Sequence, residues 1–137
     1  MVESWFKEIV SFNKIGYNIE LLSIKIKKSI QMNNIKYDFI YPIPRGGLIV
    51  GVYLSHLLDI KLISEINNSI LNNFKILVVD DIADTGKTLT EFESKADLAT
   101  IYYKPRSIIK PTYYVEETVN WIVFPWERED EIPNREL

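Results

Sequence analysis

The stretch ILVVDDIADTGKTL (Ile76–Leu89) decides how the rest of the chain is read. It opens on an unbroken apolar run, without the alternation of a half-exposed strand, and so predicts a strand covered on both faces. The run drives straight into Asp80 and Asp81, and Asp84 follows with Thr85, Gly86, Lys87 and Thr88. A loop between a buried strand and a helix start offers free backbone N–H groups and a partial positive charge, which suit a phosphate. Gly86 lets the backbone turn tightly against such an anion, and Thr85 and Thr88 can donate hydroxyl hydrogen bonds. The upstream carboxylates would repel a phosphate; they suit vicinal sugar hydroxyls or a hard cation. Helix capping would explain one aspartate but not three. A nucleotide-triphosphate P-loop is excluded, because the glycine required five residues before Gly86 is replaced by Asp81.

Working outward, Ile15, Ile19, Leu22, Ile26 and Ile30 recur at helical spacing, so residues 13–32 are predicted as an amphipathic helix with Asn13 as its cap. YDFIYPI (37–43) is a second doubly covered strand and ends in PRGG. LIVGVYLSHLL (48–58) predicts a helix apolar nearly all round and therefore buried, with His56 a core histidine. Short strands are expected at 60–64, 98–103, 112–115 and 121–124, and a helix from Gly86 to about Ala96 with Leu89 and Phe92 inward. This alternation predicts one α/β domain over 1–137, an open, mostly parallel sheet with flanking helices, and a charged tail from about residue 128. Ligands of such sheets bind at the carboxyl ends of the strands, where both PRGG and DDIADTGKT fall.

Composition narrows the chemistry. The 137 residues include no cysteine and one histidine, which excludes disulfides, thiolate nucleophiles and multi-histidine zinc sites. Any metal must sit on carboxylates, which favours magnesium. A net charge of −3 argues against a nucleic-acid partner, and Lys25, Lys27 and Lys28 read as a solvated helix face. The start MVESWFKEIV lacks an apolar signal region, and the longest apolar run is roughly half a membrane span. A soluble, cytoplasmic protein with no membrane partner is expected.

ILVVDDIADTGKTL resembles the phosphoribosyl pyrophosphate (PRPP) signature of the type I phosphoribosyltransferases. The resemblance implies that Asp80 and Asp81 hold the ribose hydroxyls of PRPP with magnesium close by, Asp81 as the metal-side carboxylate. It implies that Asp84, Thr85, Gly86, Lys87 and Thr88 wrap the 5′-phosphate, and that Asp84 also serves as general base. PRGG, weak alone, then looks like the pyrophosphate loop, with Arg45, Gly46 and Gly47 facing the leaving group and a non-proline cis peptide at Pro44–Arg45. YYKP (102–105) and NWIVFPWE (120–127) are similar to the C-terminal half of xanthine–guanine phosphoribosyltransferases. That likeness implies Lys104 at the 6-oxo group of a purine, Trp121 stacked on the ring, the Ile122 backbone at the 2-position and Glu127 near the 2-substituent. It further implies purine salvage, with PRPP and a 6-oxopurine as substrates, and a homodimer or homotetramer. The sequence departs from the family at ISEINNSILNNF (63–74), where a long flexible hood is shortened and poor in basic residues. That departure keeps open a PRPP-binding regulator without activity. A transferase for another base, such as a pyrimidine or nicotinate, also stays open.

Overall fold

The apolar run at 76–79 becomes the central strand of the molecule. In the computed structural model, which describes residues 6–128, the elements are β1 (Lys7–Ile9), α1 (Phe12–Asn33), β2 (Phe39–Pro42), α2 (Gly46–Leu58), β3 (Lys61–Leu62), α3 (Asn68–Asn73), β4 (Ile76–Ala83), a 3₁₀ turn (Thr88–Phe92), β5 (Asp97–Tyr103), β6 (Glu116–Glu117) and β7 (Trp121–Val123). The charged tail lies almost wholly outside the described residues. Five strands form one parallel sheet in the order β3-β2-β4-β5-β6. Leu77 and Val79 pack into a core with Ile15, Ile19, Leu22 and Ile26 of α1 and Val50 and Leu54 of α2. Ile76 and Val78 pack into a second core with Leu89, Phe92 and Ile109. Both faces of β4 are therefore covered, which is why its sequence does not alternate.

The strand order locates the site. From β2 the chain crosses through α2 to β3 on one side, then returns through α3 past β2 to β4 and continues to β5 on the other. The direction of winding reverses between β2 and β4, and the crevice at their carboxyl ends is where such sheets accept ligands. PRGG follows β2, and the aspartates end β4.

Several local expectations change. The cap of α1 is Ser11, whose side chain accepts a hydrogen bond from Lys14 N at 3.1 Å; Asn13 lies inside the helix. We expect Ser11→Ala to cost ~1 kcal/mol by chemical denaturation and Asn13→Ala to cost almost nothing. The helix α2 buries only one stripe, Gly47, Val50, Gly51 and Leu54, because a single helical layer lies on the sheet. Leu48, Ile49 and Val52 are 40–44% exposed, and His56 is exposed rather than a core residue.

Only a 3₁₀ turn follows Gly86: Thr90 Oγ1 donates to Lys87 O at 2.6 Å, and Ser94 at φ 64° breaks the turn off. Leu89 and Phe92 nevertheless point inward, 1% and 2% exposed. The segment 112–115 bonds to β5 through Tyr113 but makes only an isolated bridge, since Thr112 Oγ1 takes the amide of Leu98. Residues 121–123 leave the main sheet and pair in parallel with β1 as a separate ribbon, Lys7 opposite Trp121. The shortened hood folds down as α3, capped by Asn67, with Ile66, Ile70 and Leu71 on the second core.

Candidate active site

At the switch point the two motifs touch. A Cβ built on Gly46 would lie 2.0 Å from Asp81 Oδ2, and one on Gly47 would lie 2.5 Å from Val79 O. Glycine at both positions is what lets the PRGG turn settle against the acidic pair. Ile43 N and Gly47 N donate to Val79 O and Ile43 O at 2.8 and 2.9 Å, tying the turn to β4. The Pro44–Arg45 peptide is cis, as the resemblance implies, and Arg45 is exposed at the start of α2.

Within β4 the ladder breaks at the acidic pair. Asp80 and Ile82 pair with Thr100 and Tyr102 of β5, while the amide of Asp81 donates to Asp80 Oδ1 at 2.8 Å. Val79 and Ile82, three residues apart, both join the α1–α2 core, so alternation is interrupted between them. Asp81 is 4% exposed and Asp80 half-buried at the rim of the crevice.

Past β4 the chain turns tightly through residues 84–88. Gly86 takes φ 86°, and Lys87 N reaches Thr85 Oγ1 at 3.4 Å. The loop is braced from behind by residues 107–109: Ile108 N donates to Thr85 O at 2.9 Å, and a Cβ on Gly86 would lie 2.6 Å from Ser107 Oγ. Thr85 and Thr88 are half-buried and Lys87 is exposed.

Asp84, 7% exposed, is the electrostatic centre of the site. The ammonium of Lys104, a residue 4% exposed just past β5, stands 3.4 Å from Asp84 Oδ1. Arg106 Nε donates to the same oxygen at 2.9 Å, and its Nη2 also donates there. Sequence reasoning placed Asp84 and Lys104 at the site but missed Arg106. Its only signal was a basic residue two positions beyond Lys104, which nothing separates from an ordinary surface charge.

The base-binding candidates are carried by the ribbon. Lys7 Nζ lies 4.6 Å from the centroid of the Trp121 ring and covers one face of it, so a base would have to stack on the opposite face. Trp121 N donates to Phe6 O, and Ile122 is fully buried. Glu127 Oε1 accepts from Phe124 N at 3.0 Å, closing the turn that stacks Trp126 on Phe124 at 4.9 Å. Phe124 meets Tyr102 edge-on at 5.8 Å, which sets the ribbon against the end of β5 that presents Lys104. The structure thus joins Asp80 and Asp81 to the PRGG turn, joins Asp84 to Lys104, and keeps Trp121 on the neighbouring ribbon.

A xanthine-guanine phosphoribosyltransferase of Nitratidesulfovibrio vulgaris is 32% identical over 116 residues, covering 68% of this chain and 71% of the relative. One from Cereibacter sphaeroides is 31% identical over 110 residues, covering 62% of this chain and 66% of that protein. The crystal structure of a purine phosphoribosyltransferase from Pyrococcus horikoshii superposes with a TM-score of 0.74 at 29% identity, over 92% of this chain and 97% of the other. No family model matches the chain.

Proposed function

Because the chain belongs to the type I phosphoribosyltransferase family, we propose that it transfers the phosphoribosyl group of PRPP to a 6-oxopurine, yielding the nucleoside 5′-monophosphate and pyrophosphate. The observation that carries the reading is the buried Lys104 ammonium beside Asp84 at the ends of adjacent strands. One cation and one carboxylate match an exocyclic 6-oxygen and a ring N7–H, and the cation disfavours the 6-amino group of adenine.

In this reading the 5′-phosphate rests in the 84–88 loop and the ribose hydroxyls face Asp80 and Asp81. N9 of the purine attacks C1′, the bond from C1′ to the pyrophosphate oxygen breaks, and the N7 proton passes to Asp84. Arg45 and the amides of the PRGG turn face the departing pyrophosphate, where fixed donors stabilise charge as it develops. Holding purine and sugar phosphate in line supplies the orientation contribution.

The donor set at Asp80 and Asp81 is all oxygen and fits magnesium. Among the described residues no three acidic or histidine side chains converge, so the ion would complete its ligands from substrate and water. When bound, it would neutralise charge on the pyrophosphate.

The exposed Leu48, Ile49 and Val52 stripe of α2 supports assembly into a homodimer or homotetramer, which sedimentation velocity would read directly. No helix among the described residues is long and apolar enough to cross a membrane.

Mass-spectrometric detection of nucleotide from PRPP, magnesium and a panel of hypoxanthine, guanine, xanthine, adenine and orotate tests the reading. Product from 6-oxopurines alone is expected. Product from adenine or orotate would reassign the base. No product from any base, with PRPP still bound, would favour a regulatory PRPP-binding protein.

A further inference from the structure

Arg106 has no place in the reaction as derived so far, yet it makes the most direct contact to the group that receives the proton. Two of its guanidinium nitrogens, Nε and Nη2, address Asp84 Oδ1, the oxygen that also faces Lys104. The other carboxylate oxygen is thereby kept for another partner. Nor is the arginine on a loose loop. Ser107 N donates to Lys104 O at 2.9 Å, Ser107 Oγ donates to Ile109 O at 2.6 Å, and Ile108 N holds Thr85 O. This brace fits only because residue 86 lacks a side chain. The segment that carries Arg106 is therefore fastened to the loop that would hold the 5′-phosphate.

We propose that Arg106 is a positioning residue for the base, acting through Asp84: it fixes the carboxylate with Oδ1 turned to the two cations and Oδ2 presented to the purine N7 proton. Two cations, Lys104 and Arg106, thus stand beside Asp84 at the edge of the pocket that would face N7 and the 6-position. That edge favours an oxygen substituent over an amino group. Two guanidinium donors converging on Oδ1, with the Lys104 ammonium beside them, turn that oxygen toward the cations, whereas a lysine at position 106 would offer a single point charge. A small error in the placement of a reacting group costs on the order of 100-fold in rate. The proposal rests on the transferase reading of this same site.

Steady-state kinetics on the wild type, Arg106→Gln, Arg106→Lys, Asp84→Asn and the Arg106→Gln/Asp84→Asn double variant, each checked for folding by circular dichroism, separate the possibilities. Arg106→Gln is expected to lower kcat for hypoxanthine on the order of 10- to 100-fold while leaving KM for PRPP within about threefold. Arg106→Lys should recover part of that loss. In the Asp84→Asn background, Arg106→Gln should add less than about twofold, because the residue it would position can no longer take the proton. Full multiplication of the two losses, or an unchanged kcat in Arg106→Gln, overturns the role of Arg106 while leaving the transferase intact. If Arg106→Gln does not fold, Arg106→Lys and its double variant with Asp84→Asn carry the same comparison. A wild type inactive on every base removes the transferase reading and this proposal with it.

Discussion

Asp84→Asn should lower kcat on the order of 10²- to 10⁴-fold with hypoxanthine or guanine while KM for PRPP changes by less than about threefold. Asparagine keeps the shape and one acceptor oxygen but cannot take a proton. The substitution also removes a counter-charge of Lys104, which is 4% exposed, so some loss of stability accompanies it. Breaking a buried ion pair by removing one partner costs ~3–5 kcal/mol when both groups are fully desolvated. Here Arg106 is 34% exposed at its side chain and can turn to water, so the structural cost should fall below that range. The thermal midpoint of the variant, with and without PRPP, distinguishes the two effects. A kcat equal to wild type would remove Asp84 from the proton transfer.

Gly86→Ala should abolish measurable PRPP binding and lower the melting temperature by roughly 5–10 °C. The residue sits at φ 86°, a conformation that costs an L-residue ~1–3 kcal/mol. Its new Cβ would also meet Ile109 N at 2.9 Å and Ile108 N at 3.0 Å, in addition to the Ser107 hydroxyl. The hydroxyl can rotate away; the two backbone amides cannot. The brace behind the phosphate loop must therefore shift, and Thr85 and Arg106 shift with it. Gly16→Ala is the matched control, because nothing lies within 4 Å of its Cβ on α1. That change should be neutral or stabilising, since alanine is favoured over glycine in a helix by about 1 kcal/mol. PRPP binding by isothermal calorimetry, run on both variants, checks the contrast. Wild-type affinity in Gly86→Ala would show that the loop does not hold the phosphate.

Much of this molecule is legible along the chain because its chemistry is contiguous there. A doubly covered strand reads as an unbroken apolar run, and the residues that leave it at the carboxyl end stand at the crevice where such sheets accept ligands. Asp80, Asp81, Asp84 and Gly86 all follow the ILVV run within ten residues. PRGG follows β2 in the same way. The heptad-like spacing on α1 was enough to name its buried face, since a helix repeats every ~3.6 residues wherever it lies.

Tertiary structure decided what depends on partners distant in sequence. Which of α2's apolar residues are covered is a matter of how many layers lie over it. Leu48 and Val50 look alike in the sequence, yet one is 40% exposed and the other fully buried. Whether a short apolar segment joins the main sheet depends on which edge it meets, and β7 found β1 at the far end of the chain, with Trp121 opposite Lys7. The chain by itself determined the mostly parallel α/β fold and the placing of PRGG and DDIADTGKT at the carboxyl ends of strands, because local geometry and strand-end chemistry are written in neighbouring residues. Only the folded structure decided that Gly46 yields room to Asp81 and that Arg106 grips Asp84, because those contacts form across strands and charge acts through space rather than along the backbone.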